Sequence, residues 1–296
     1  MGFVATSSAS APLPGVAAFW QRLAELGYIE GRNLIVEQRW ADGNVERMPA
    51  LMAELVAREV DVLVTYGTDG AIAARNATRS VPIVVATMGD PVGAGVASSL
   101  ARPGGNLTGL SQQAAGSITG KWLELLQEIV PKLRSVAIIS NPESHWIAKI
   151  SKELEATARD RKVKLQFLRV RDKSGLNDAF KMAQQRSQAV LVLPDPLTST
   201  NRQHIAALAA KHQLPSLYPL RHFVDAGGLI AYGPNITVQF QRAAEYVDLI
   251  LKGANPGNLP IEQPTKFELI INLKTAKALG VTLPESVLLR ADEVLQ

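Results

Sequence analysis

The sequence predicts an α/β protein of two doubly wound halves, each a parallel sheet with helices on both faces. Three observations carry that prediction. Apolar runs of strand length alternate with stretches whose apolar residues recur at helical spacing. The alternation starts afresh after residue 120, and a stretch around 105–120 rich in Gly, Ser and Thr separates the two series as a candidate crossing. With 296 residues the chain is longer than most single cores and suits two domains of ordinary size.

The elements follow in order. GFVAT (2–6) reads as a strand, and the next helix presents Val16, Phe19, Trp20, Leu23 and Leu26 on one face. NLIVEQRW (33–40), a helix around MPALMAELVAR, the strand VDVLVTY (60–66), a helix in GTDGAIAARNAT and the strand VPIVVAT (81–87) complete the first series. The second runs through helix KWLELLQEIV, strand SVAIIS (135–140), a helix over 146–161, strand KLQFLRV, a helix near 176–186, strand AVLVLP (189–194), a helix around 202–212 and the short strand PSLYP. GGLIAYG (227–233) then reads as a strand and VQFQRAAEYVDLILKG (238–253) as an amphipathic helix closed by Gly253. PTKFELIIN adds a strand and LKTAKALG a short helix. Trp20, Trp40 and Trp122 fall inside elements and are expected to pack.

Composition narrows the function classes. Apolar residues make up 47% and charged residues 20%, a globular balance. The net charge of +4 is dispersed, its densest cluster being RKVK (161–164), and no nucleic-acid-binding motif accompanies it. Nucleic acid is therefore not expected as a partner. The absence of cysteine removes disulfides, thiolate catalysis and Cys-ligated zinc. No apolar run is long enough to span a bilayer. The four histidines, at 145, 204, 212 and 222, lack metal-ligand spacing. Neither a GxSxG nucleophile elbow nor a Walker loop is present, and the GAG at 93–95 is a fragment of a dinucleotide fingerprint. No catalytic residue, metal or cofactor is expected, and the chain does not read as an enzyme.

In open parallel sheets ligands bind beyond the carboxyl ends of the strands, so the exit loops hold the candidate site. Those loops supply Ser7 and Ser8, then Gly67, Thr68 and Asp69, then Gly89 and Asp90, in the first half. The second half supplies Asn141, Glu143, Ser144, Trp146, Asp195, Tyr218 and Tyr232. Hydroxyls, amides, a few carboxylates and aromatic rings suit a small polar or zwitterionic ligand, with helix N–H groups taking a carboxylate and Asp or Glu an ammonium. Helix capping or turn formation is the alternative for Thr68, Asp90 and Asp195, and plain packing for Trp146 and Tyr232. Asp90 is expected to cap a short helix over 92–100, with Pro91 in its first turn.

GDPVGAGVASSLARPGGNLTG (89–109) resembles a signature of the ABC-transporter substrate-binding protein family of the TrpX type. LAELGYIEGRNL (23–34), DVLVTYGTDGAIAA (61–74), YGPN (232–235), LPIEQPTKFELIINLKTAKALG (259–280) and LLRADEVL (288–295) resemble the same family in the same order. The resemblance implies a type I periplasmic-binding-protein architecture: two Rossmann-like lobes joined by hinge crossings, closing on a ligand. It assigns residues 1–112 plus about 229–256 to the first lobe, and 113–228 plus about 257–296 to the second. It further implies a monomeric receptor that captures a small organic solute, of the amino acid or aromatic acid class, and delivers it to a membrane permease of an ABC importer, with no chemistry on the solute. Periplasmic or exported location rests on this kinship, since no export signal precedes the first strand. Asp69 departs from the family, many of whose members carry proline there; a carboxylate at that helix start either recruits a cation or caps the helix, and counts against an anionic ligand group bound beside it. A ligand-sensing module for a signalling partner is the alternative reading, and a hydrolase or isomerase on the same sheet a third.

Overall fold

The computed structural model describes residues 1–10, 12–113, 118–144 and 146–296. They divide into two compact units: 1–115 with 236–265, and 116–235 with 266–296. The chain thus passes between the units three times.

In the first unit, strands β1 (Gly2–Ala5), β2 (Glu37–Trp40), β3 (Leu63–Thr65), β4 (Ile83–Met88) and β5 (Leu107–Ser111) form a parallel sheet in the order β2-β1-β3-β4-β5. Short β-branched and aliphatic runs make strands here because side chains on both faces are buried under helices. On one face Val4, Leu63, Ile83, Val85 and Leu107 pack with α2 (Met48–Ala57) and α3 (Thr68–Ala77) through Met48, Met52, Leu55, Ala71 and Ala74. On the other, Phe3 meets the rings of Phe19, Trp20, Trp40 and Tyr66, and Tyr66 meets Phe240. Phe19 and Trp20 lie on α1 (Pro14–Glu25), Phe240 on α10 (Ile236–Leu251). Helix α10 ends as the sequence predicts: Gly253, at φ 99°, donates to Ile250 O, and Ala254 N–H reaches Leu249 O.

The second unit holds β6 (Ser135–Ser140), β7 (Lys164–Arg169), β8 (Ala189–Val192), β9 (Ser216–Tyr218), β10 (Ile230–Pro234), β11 (Phe267–Asn272) and β12 (Glu293–Leu295), in the order β12-β11-β10-β9-β8-β6-β7. The sheet is parallel except where β11 runs antiparallel to β10. Val136, Ile138, Leu191, Leu217, Ile230 and Ile271 pack with Trp122, Leu123 and Leu126 of α4 (Thr119–Ile129) and Ile147, Ile150 and Leu154 of α5 (Ile147–Asp160). Helix α6 (Gly175–Arg186), with Leu176 and Phe180 buried, packs on β6 and β7 and against α8 (Arg202–Lys211).

Three expectations are corrected. The strand at 229–234 does not return to the first unit: as β10 it pairs with β9 and β11 and belongs to the second, while 257–265 belongs to the first. The stretch at 105–120 is not all crossing, since 107–111 is strand β5; residues 114–117 lie outside the described residues. No helix forms over 92–100, where residues 91–95 make a single turn. Among the described residues, no helix is long and apolar enough to cross a membrane.

Candidate functional site

In a sheet ordered β2-β1-β3-β4-β5 the chain winds one way from β1 to β2 and the other way from β3 onward. The loops after β1 and β3 therefore part, leaving a crevice at the carboxyl edge. Ser7 and Ser8 follow β1; Tyr66, Gly67, Thr68 and Asp69 follow β3. The two loops are tied across the switch point by Tyr66, whose Oη accepts the Ser7 N–H (3.2 Å) and donates to Ser7 Oγ (2.7 Å). Burial holds the Tyr66 phenol above its usual pKa. Ser8 Oγ lies 3.2 Å from Ser10 Oγ.

Gly67 sits at φ 80°, ψ 154°, a backbone open to glycine and strained for other residues. That geometry lets its N–H reach Thr87 O (2.6 Å) while its carbonyl takes the Ala71 N–H (3.0 Å) and starts α3. The N-cap of α3 is Gly67, which brings no side chain of its own to the first-turn amides at the positive end of the helix dipole. Thr68, the first helical residue, accepts the Gly89 N–H on Oγ1 (3.1 Å), joining the exit loops of β3 and β4. Gly89 O accepts from Ser111 Oγ (2.9 Å). Gln239 then donates to Ser111 O (2.8 Å) and accepts from Thr87 Oγ1 (2.7 Å), so α10 braces the ends of β4 and β5.

The consequence is a pair of committed hydroxyl donors. The oxygens of Ser7 and Thr68 are each occupied by a fixed donor, leaving each hydroxyl its own proton to give. Neither has an acceptor among the described residues. Two hydroxyl donors beside a helix N-terminus suit a carboxylate. Asp69, half-buried in the first turn of α3, and Asp90 supply negative charge beside it. Asp90 Oδ1 accepts the Gly93 N–H (2.9 Å), so the carboxylate caps the turn at 91–95 in place of the expected helix.

The second unit repeats the wind as β7-β6-β8-β9, placing its switch point between the loops after β6 and β8. Asn141 Oδ1 accepts the Glu143 N–H (3.1 Å), and buried Ser144 donates its N–H to Asn141 O (3.2 Å). Trp146, half-buried, crosses this switch point: its Nε1–H donates to Pro194 O (3.2 Å). Asp195 forms a capping box with Thr198 at α7 (Pro196–Thr200), accepting the Thr198 N–H at 2.7 Å. Tyr232 lies in β10 near its carboxyl end, its ring 6.0 Å from that of Phe267 and its carbonyl accepting the indole N–H of Trp122 (2.8 Å).

The structure thus gathers Ser7, Ser8, Gly67, Thr68, Asp69 and Asp90 at the edge of one sheet, and Asn141, Ser144, Trp146 and Asp195 at the edge of the other. Tyr218 is a correction. It ends β9 but is fully enclosed, stacked on Phe223 at 4.9 Å, with its phenol pushed up to about 12 by burial. A strand-end tyrosine turned toward the core presents nothing to a ligand. Sequence reasoning missed Tyr66, which closes an apolar run and reads as core, and the supports Ser111 and Gln239, whose partners are distant in the chain. The crossing residues 114–117 and His145 lie outside the described residues. Among the described residues, no group of three or more His, Cys, Asp and Glu is arranged to hold a metal.

Comparison with known proteins fits this geometry. ABC transporter substrate binding proteins match residues 7–295 as a family. A tyrosine-binding protein of Clostridioides difficile (strain R20291) is 27% identical over 264 residues, covering 89% of this chain and 75% of the relative. A conserved domain protein of Vibrio cholerae has a TM-score of 0.91 at 28% identity, covering 99% of this chain and 98% of that one. The ABC domain of Streptococcus pneumonia solved in complex with L-Trp has a TM-score of 0.89 at 22% identity, with 99% of each chain covered. The α/β architecture, with its two doubly wound units, is that of type I periplasmic binding proteins. With the match running through nearly its whole length, the chain belongs to the ABC transporter substrate-binding protein family.

Proposed function

We propose that this chain is the solute receptor of an ABC importer, that its ligand is an amino acid with an aromatic side chain, and that it acts outside the cytoplasm by presenting this solute, chemically unchanged, to a membrane permease. The observation that carries the ligand class is the donor lining at the first switch point, where Ser7, Thr68 and the α3 amides suit a carboxylate. Asp69 and Asp90 beside it suit the ammonium of a zwitterion. The aromatic preference is supported by what two relatives are named for, tyrosine in one and L-Trp in the other.

A thermal-shift panel of amino acids, aromatic acids, nucleobases and sugars tests the proposal. A ligand at 100 times its dissociation constant adds about 2.7 kcal/mol, enough to raise the midpoint by several degrees. Selective shifts with tyrosine, tryptophan or phenylalanine are expected. Shifts with sugars or nucleobases, and none with any amino acid, contradict the ligand class. Conversion of the bound solute during long incubation contradicts the non-catalytic role.

A further inference from the structure

Tyr66 is placed unlike a core tyrosine. Its ring is packed beside Phe3 (6.5 Å) and Phe240 (5.5 Å), and the residue is 3% exposed, yet its hydroxyl reaches the edge of the sheet, where it makes two hydrogen bonds to Ser7 with the Thr6 side chain also beside it. The two bonds have opposite senses. The Ser7 N–H is donated to Oη, which fixes where the phenol oxygen lies; the phenol proton is then given to Ser7 Oγ. A hydroxyl that accepts at its oxygen still carries one proton, and among the described residues the Ser7 proton has no acceptor. Raised by burial, the phenol stays protonated and keeps its role as donor across the neutral range.

We propose that Tyr66 is a positioning residue for ligand recognition: by donating to Ser7 Oγ it commits the Ser7 hydroxyl to donate in turn, so that the crevice takes a carboxylate oxygen and rejects a group that presents N–H. The inference rests on the amino acid reading above and assigns the source of its carboxylate selectivity. Hydroxyl chains of this kind polarise one another, which strengthens the terminal donor toward an anion. Thr68, its oxygen held by the Gly89 N–H, supplies a second committed donor on the adjoining loop.

The test compares L-tryptophan with L-tryptophanamide, which differs by replacing one carboxylate oxygen with NH2. Affinities are read by calorimetry, or by thermal shift at millimolar ligand for the weaker partner, on wild type, Tyr66→Phe, Ser7→Ala and the double variant. Wild type is expected to prefer the acid. Each single variant loses about ten-fold or more in affinity for the acid and much less for the amide, and the double variant falls no further than the singles, because both break one chain. Equal losses for acid and amide reduce Tyr66 to a structural role and overturn the inference. So does a Tyr66→Phe protein that binds the acid within two-fold of wild type. If Tyr66→Phe does not fold, Ser7→Ala decides alone, since it keeps the tyrosine ring and the backbone N–H bond; an unchanged acid-to-amide ratio overturns the inference. Wild type that binds no aromatic amino acid contradicts the amino acid reading together with this inference, whereas wild type that binds with the variants unaffected contradicts this inference alone.

Discussion

At Thr68 one hydroxyl serves both the fold and the proposed ligand: its oxygen takes the Gly89 N–H and its proton is left to give. Thr68→Val keeps the shape and removes both. It is expected to weaken amino acid binding about ten-fold and to cost about 1–3 kcal/mol of stability by leaving the buried Gly89 N–H unpaired. Titration calorimetry and urea denaturation read the two effects, and a variant with wild-type affinity contradicts Thr68 as a donor to ligand. Tyr218 makes the opposite case. Its buried hydroxyl lies by Ser216 without hydrogen-bond geometry, so Tyr218→Phe should be neutral or stabilising and should leave binding unchanged. A drop in affinity would return Tyr218 to the site. The residue types at the strand exits were legible because small polar residues after an apolar run mark where a strand ends. Which way the tyrosines at 66, 218 and 232 point was not, because each side chain's direction depends on sheet pairings set by residues far away in the chain.

Elements were legible wherever the cause is local. Periodicity located the helices that carry one apolar face, and SVAIIS was read as the strand that forms over Ser135–Ser140. Non-local causes escaped. Nothing local in the sequence marks β10 as part of the second unit, because its partners there, β9 and β11, are other strands before and after it in the chain. Strand β5 was hidden in a Gly- and Thr-rich stretch, and Gly109 explains the disguise: a Cβ there would lie 2.1 Å from Val85 O on the neighbouring strand. Gly109→Ala should therefore force β4 and β5 apart and cost about 3 kcal/mol or more, seen as loss of soluble protein or a sharply lowered unfolding midpoint. The Asp195 capping box is a milder local device; Asp195→Ala should cost about 1 kcal/mol in denaturation. A much larger loss of binding than of stability would instead mark Asp195 as a ligand group.

For the molecule as a whole, acid sensitivity should centre on one histidine. His222, in α9 (His222–Asp225), is enclosed against Phe223, and burial lowers its pKa from 6.5 to about 3, with the Arg202 charge acting in the same sense. The unfolded chain therefore takes up a proton near pH 6.5 that the folded chain refuses, and stability falls as pH drops from about 6.5 toward 3. Between pH 7 and pH 5 this group should remove about 2 kcal/mol. His222→Phe should flatten that part of the pH–stability curve, and a variant that keeps the wild-type slope contradicts the assignment. The family and its two doubly wound units were readable from long motifs. The ligand was not, because on the proposed reading specificity turns on proton directions such as those of Ser7 and Thr68, which no motif encodes. An amide-resolved NMR titration with L-tryptophan reads the proposed carboxylate site residue by residue. The largest shifts are expected in the first unit at Ser7, Ser8, Thr68, Asp69, Gly70 and Gly89. Saturable binding that leaves those amides unmoved would contradict it.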